Sequence, residues 1–225
     1  MVAKFENINK TFCTSAGTFN WNEETSINLN KGEILLITGK SEYSRKSFLT
    51  LMGCLINPNE GILEINGKNI NLSCYEEMAL IKSQTIGFVF HQHNLIETIN
   101  TEENVGFSLK FQSLKSDEIR KSTTEALKMV EMYEHRKKMP KQLSKLEKQQ
   151  ILIARALVIN PQIIVCDKPT AFLDRQGGVF IMEKLKELAK SGKTIVILNH
   201  DSRFNDYANR AVQVKNGIVN ELILM

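Results

Sequence analysis

Two strand-sized apolar runs, Ile163-Ile164-Val165-Cys166 and Thr194 to Leu198, flank a helical stretch at 178–190, and no other feature restricts the fold as much. Short strands joined by a helix make a strand-helix-strand unit of a parallel sheet. A third run, Glu33 to Thr38, ends at Gly39 and leads into a helical segment from about Arg45 to Leu55. Strands near 2–9 and 25–30 give the chain an antiparallel start, and a hairpin through Ile62 to Ile70 turns at Asn66-Gly67. The middle is helical: residues 117–133 place Ile119, Leu127, Met129 and Val130 at helical spacing, and 143–157 runs from a Ser144 cap into ILIARAL. The expected fold is α/β, with a parallel-sheet core, an antiparallel β part and an inserted helical part.

Between the third strand and its helix, GKSEYSRKSFL at 39–49 stands where a P-loop would. The pattern G-x-x-x-x-G-K-[ST] uses glycines to bring backbone N–H groups against phosphate, a lysine to reach the β/γ-phosphates, and a hydroxyl to hold Mg²⁺. Gly39 fits, but the last three positions read Ser44, Arg45 and Lys46, and Ser47 lies one residue late for the metal. Lys40 to Ser47 contains no glycine, so any left-handed conformation that an amide nest requires costs about 1–2 kcal/mol per residue. Glu42 adds a carboxylate facing the place of a triphosphate, and Lys40, Arg45 and Lys46 are the expected counter-charges.

Further segments follow in order: GCLINPNEG (53–61), IGFVFHQHNLIETINTEENV (86–105), MPKQLSKLEKQQILIARAL (139–157), NPQIIVCDKPTAFLD (160–174) and TIVILNHDSRFNDYANRAVQVKNG (194–217). With these, the chain resembles the nucleotide-binding subunit of an ABC transporter over almost its whole length. The nearest resemblance is to the bacterial class serving macrolide export, lipoprotein release and cell division. This implies a P-loop NTPase of ABC type, a single domain over 1–225 with core and β subdomain at about 1–74 and 160–225 and a helical subdomain at about 75–159. The family sandwiches ATP head to tail between two subunits. Mg²⁺ is held there by the loop hydroxyl and the Q-loop glutamine, with the Walker B aspartate in its second shell, and a glutamate polarises the attacking water.

On that pattern Phe12 falls where an aromatic stacks on adenine, with filling of the β core as the alternative. Gly39, Ser41, Ser44, Arg45, Lys46 and Ser47 fall on the phosphate loop, with Arg45 at the lysine position. His91 stands at the Q-loop glutamine, Asp167 at the Walker B aspartate and Lys168 at the general-base glutamate. Ser144, Lys145 and Leu146 fall on the signature serine and glycines, Asp174 on the D-loop and His200 on the switch histidine. Asp167 either approaches metal or pairs with Lys168 or Arg45; His200 either senses phosphate or is structural; His93 has no implied role and is expected at the surface.

The departures concentrate at the chemistry. Lys46 and His91 replace both metal ligands, and an ammonium repels a divalent cation, so no metal site is expected. Lys168 is no base while protonated, and its ordinary pKa of about 10.4 keeps it so. ATP turnover is therefore expected to be very slow or absent, with weak or altered nucleotide binding and no binding as open alternatives. Lys145 is expected in solvent, with a reach to phosphate in a partner's site as its alternative.

The chain's 225 residues, 42% hydrophobic and 24% charged, suffice for a sizeable core. No apolar run approaches the roughly 20 residues needed to cross a bilayer, so a membrane span must come from a partner, an integral-membrane permease by the resemblance. A homodimer or a heterodimer with another ABC subunit is implied. Met1 to Lys10 lacks the apolar core of a signal peptide, so the expected location is cytoplasmic, peripheral on the inner membrane face. Cys13, Cys54, Cys74 and Cys166 lack metal-ligand spacing and read as small buried hydrophobes without disulfides. The basic run Arg136, Lys137, Lys138, Lys141, Lys145 and Lys148 has no interleaved aromatics and reads as a solvated face rather than a nucleic-acid site, with His135 at its surface.

Overall fold

Side-chain alternation along three strands sets the architecture. In β4 (Ile34–Thr38), β8 (Ile163–Asp167) and β9 (Thr194–Leu198), the residues Leu35, Ile37, Val165, Val196 and Leu198 enter one core. Their neighbours Ile34, Leu36, Ile164, Cys166, Ile195 and Ile197 enter another on the opposite face. Strands buried on both faces carry apolar residues throughout, which is why these runs read without polar alternation. The computed structural model describes residues 1–14, 17–21, 25–91, 94–198, 201–215 and 217–222, with the backbone alone at 13, 14, 17–20 and 202.

Among the described residues, the central sheet has the order β11-β10-β4-β9-β8-β7, completed by β7 (Ile86–Val89), β10 (Arg210–Lys215) and β11 (Ile218–Leu222). All its pairs are parallel except β10 with β11. The second sheet is antiparallel: β2 (Gly17–Trp21), β1 (Ala3–Thr14), β5 (Glu60–Ile65) and β6 (Lys68–Asn69) in that order, with β3 (Ile27–Leu29) also on β1. Asn66 and Gly67 join β5 to β6 with φ of 53° and 76°, the paired left-handed conformation of a two-residue hairpin turn.

Helix α1 (Glu42–Met52) packs Phe48, Leu49, Leu51 and Met52 between the two sheets. Helices α5 (Lys145–Leu157) and α6 (Arg175–Lys190) cover the other face of the central sheet. Helix α3 (Thr101–Gly106) and α4 (Ser116–Met129) pack against α5, while α2 (Tyr75–Gln84) lies by β7 and buries Met78 and Ile81 beside the antiparallel sheet. β7 is thus a strand of the parallel core lying between α2 and α3 in the chain.

Two helices begin three residues earlier than their hydrophobic periodicity predicts, each because of a cap. The Ser41 hydroxyl accepts the Ser44 N–H at 3.2 Å and opens α1 at Glu42. The Asp174 carboxylate accepts the Gly177 N–H at 2.8 Å and opens α6 at Arg175. Burial of Cys54 and Cys166 fits their reading as small hydrophobes, and it pushes the Cys54 thiol up to about 12. Cys74 differs, being partly exposed at the start of α2, and the Cys13 side chain lies outside the described residues.

Candidate functional site

The C-terminal ends of β4 and β8 and the chain after β7 bring several of the singled-out side chains to one edge of the central sheet, the place where open α/β sheets bind ligands. Gly39 leaves β4 at φ 144°, and a Cβ there would lie 2.4 Å from the Val214 carbonyl oxygen, so only glycine fits between β4 and β10. From there the chain does not form an amide nest. None of Lys40 to Ser47 has a positive φ, and Glu42 onward is helix. The glycine-free segment avoids left-handed strain by winding into α1.

That helix orients the loop residues differently from one another. Ser44 and Ser47 are buried, and the Ser47 hydroxyl donates to the Ser44 carbonyl at 2.9 Å while accepting the Trp21 indole N–H at 3.0 Å. Arg45 is partly buried, whereas Lys40, Ser41, Glu42 and Lys46 are exposed. A cavity of about 360 Å³ is lined by Lys46, His91 and Asp167 among the polar groups and by Leu49, Phe88 and Phe90 among the apolar ones. The His91 ring stacks on Phe172, with centroids 4.9 Å apart and planes 24° apart. Phe12 is partly buried against the β-sheet core, as its core-filling alternative expects, and meets Tyr43 edge to face at 6.2 Å.

Lys168 departs from the sequence expectation. Its backbone is left-handed at φ 49°, its N–H donates to the Leu198 carbonyl at 2.9 Å, and its ammonium pairs with Glu42 rather than with the adjacent Asp167. The direct partner of Glu42 is thus a lysine at the end of β8, and Arg45 of the loop adds its charge. The hydrogen bond and charge of Lys168, helped by Arg45 and His91, hold the Glu42 carboxyl below its usual range. The Asp167 side chain is buried, with 6% of the residue exposed.

The signature positions stand apart on α5. Ser144 caps that helix: its hydroxyl accepts the Glu147 N–H at 3.2 Å, and the Glu147 carboxylate returns to the Ser144 N–H at 2.7 Å. Lys145 is exposed, while Leu146 turns inward, so a Cβ on Gly177 of α6 would lie 3.7 Å from its Cδ1. Despite desolvation, bonds from Ser144 and Lys138 pull the Glu147 carboxyl down to about 2. His135, expected at the surface, pairs with Glu147 at 2.6 Å and is only about a third exposed. Lys137 pairs with Glu102 at 2.7 Å and Arg136 stacks on Tyr133 at 4.4 Å, so much of the basic run is satisfied locally. Asp174 is the α6 cap already described. His93 and His200 lie outside the described residues.

The sequence reading missed Phe172 as the neighbour of His91 and Lys168 as the partner of Glu42; the lone carboxylate in the loop was the available signal for the latter.

The ABC transporter family model matches residues 23–171. The chain belongs to the ABC transporter family. It is 36% identical over 221 residues to the ABC transporter ATP-binding protein MJ0796 of Methanocaldococcus jannaschii, covering 96% of this chain and 94% of that one. Identity to YknY of Bacillus subtilis is 30%, covering 95% of this chain and 93% of YknY. The macrolide export ATP-binding/permease protein MacB of Chlorobium luteolum is 33% identical over 213 residues, and this chain spans only 32% of its length. The dimeric structure of MJ0796 bound to ADP and Pi superposes with a TM-score of 0.84 at 34% identity, over 99% of this chain and 100% of that one. As an ABC-type α/β domain, the fold is the one the sequence led us to expect.

Proposed function

We propose that this chain is the ATP-binding-cassette subunit of a membrane transporter complex, acting as a structural or regulatory half that hydrolyses ATP very slowly or not at all. One observation carries the reading: at the position of the phosphate cradle the chain is already helix, with a carboxylate in its first turn paired to the lysine at the general-base position. Mg²⁺ does not fit the residues available. Lys46 brings an ammonium to the cavity beside Asp167 and His91, and the Ser47 hydroxyl is engaged by Trp21 and Ser44. The nucleotide contacts we assign are Phe12, Gly39, Ser41, Arg45, Lys46, His91 and Asp167, with Ser44 and Ser47 as the buried backing of the phosphate loop, Lys168 inactive as a base, Asp174 in the D-loop, and His200, Ser144 and Lys145 at the remaining family positions.

In this reading 1–225 is one domain with a helical subdomain within about 75–159, supported by the mutual packing of α3, α4 and α5. It docks an integral-membrane permease near His91, on the inner face of the membrane, and pairs with itself or another ABC subunit; the dimer of MJ0796 and the permease fused within MacB support both contacts. Among the described residues no helix is long and apolar enough to cross a membrane, so the permease supplies the span.

Calorimetry of ATP binding with and without Mg²⁺, alongside phosphate release, tests the proposal: the expected result is no Mg²⁺-dependent turnover, and turnover lost in Lys168→Ala would overturn it. The position of Lys46 favours a second reading, in which its charge stands in for the metal and ATP binds without it. EDTA-insensitive, stoichiometric binding that drives transport would select that one.

A further inference from the structure

Three altered positions act on a single carboxylate. Lys168 bonds Glu42 directly, and Arg45 and His91 add to the field that keeps it ionised. These three stand where the sequence pattern calls for a general base, a phosphate-binding lysine and a metal-binding glutamine. Glu42 itself occupies the first turn of an 11-residue helix, where unpaired N–H groups and the helix dipole favour an anion. A carboxylate and the cationic side chains of Lys168 and Arg45 are therefore gathered at the phosphate position.

The two halves of the ion pair are held unequally. Lys168 is anchored by its left-handed backbone, by the hydrogen bond to Leu198 and by a side chain only 12% exposed. The Glu42 side chain is 66% exposed and is the half able to swing away. With its carboxylate half in solvent, the pair can exchange for a competing anion at Lys168.

We propose that Glu42 is an internal occupant of the phosphate site, an autoinhibitory carboxylate that a nucleotide phosphate or other oxyanion must displace before reaching Lys168 and Arg45. This rests on the reading of the β4–α1 edge as the altered nucleotide site. It differs from a merely damaged site, because removing one side chain restores anion binding.

The test is calorimetric binding of inorganic pyrophosphate and of ATP, both without Mg²⁺, to the full chain and to Glu42→Gln and Glu42→Asp. Glu42→Gln removes the repelling charge at nearly constant shape, and about tenfold tighter binding of both ligands is expected, lost again at high salt. Glu42→Asp keeps an anion in the first turn, and so the helix start, but shortens its reach to Lys168; a smaller gain is expected. Lys168→Gln breaks the same pair while removing the cation, and no gain is expected. Equal or weaker binding by both Glu42 variants, with melting temperatures unchanged, would overturn the inference and leave the non-hydrolysing subunit standing. Mg²⁺-dependent turnover by the unaltered chain would sink that broader reading instead, whatever the Glu42 variants do.

Discussion

Helices α1 and α5 begin alike and finish their first turns differently. Each is capped by a serine whose hydroxyl accepts the N–H three residues on, Ser41 from Ser44 and Ser144 from Glu147. In α5 the third residue is a glutamate that returns the bond, so the helix start is closed by its own neighbours. In α1 the third residue is a serine with no such return, and the acidic residue of the first turn reaches instead to Lys168, 126 positions away. One helix start is satisfied locally and has become framework. The other takes its direct charge partner from a distant strand end.

Substitutions at these two ends can break that contrast. The largest effect is expected at Gly39, just ahead of α1: Gly39→Ala forces a Cβ against the Val214 carbonyl in a left-handed backbone and should cost about 3 kcal/mol in urea-monitored unfolding. Next come the caps. Ser144→Ala loses a closed capping box and should cost about 1 kcal/mol, Ser41→Ala about half of that, and the exposed Lys145→Ala should stay within about 0.5 kcal/mol. Equal losses for the two serines would erase the distinction between the helix starts.

Acid provides the finest comparison. The Glu147 carboxyl, ordinarily near 4.5, is held at about 2 in the fold, so its stabilisation is complete above about pH 4.5 and fades as the pH falls towards 2. Melting temperature followed by circular dichroism between pH 6 and 3 should decline less steeply in Glu147→Gln than in the unaltered chain.

What could be read in the sequence follows the same division. The Ser144 cap and the strand-helix-strand unit over β8, α6 and β9 are local patterns, and both are present, with α6 opening three residues earlier than its apolar periodicity predicts. Strand β7 was missed because Ile86-Gly87-Phe88-Val89 is four residues long with a glycine inside it, too short for its periodicity to stand out. The start of α1 was placed late because the apolar pattern begins at Phe48, while the cap that opens the helix is polar. Within the candidate site, the suspect positions could be named from order alone, but their partners could not. Asp167 offered a partner to Lys168 from the adjacent position, or to Arg45 by pattern, whereas the backbone turn at φ 49° sends Lys168 to Glu42.

Strand order also governs when the sheet can be finished. β4 is made early, yet its neighbours β9 and β10 are among the last strands in the chain, beginning at Thr194 and Arg210. During synthesis at about 5–20 residues per second, Ile34 to Thr38 wait roughly 10–30 s for the first of these strands to be made. For that interval the most apolar strand of the early chain has no sheet neighbour on either side. The nascent chain is thus exposed to mispairing until residues 194–215 emerge.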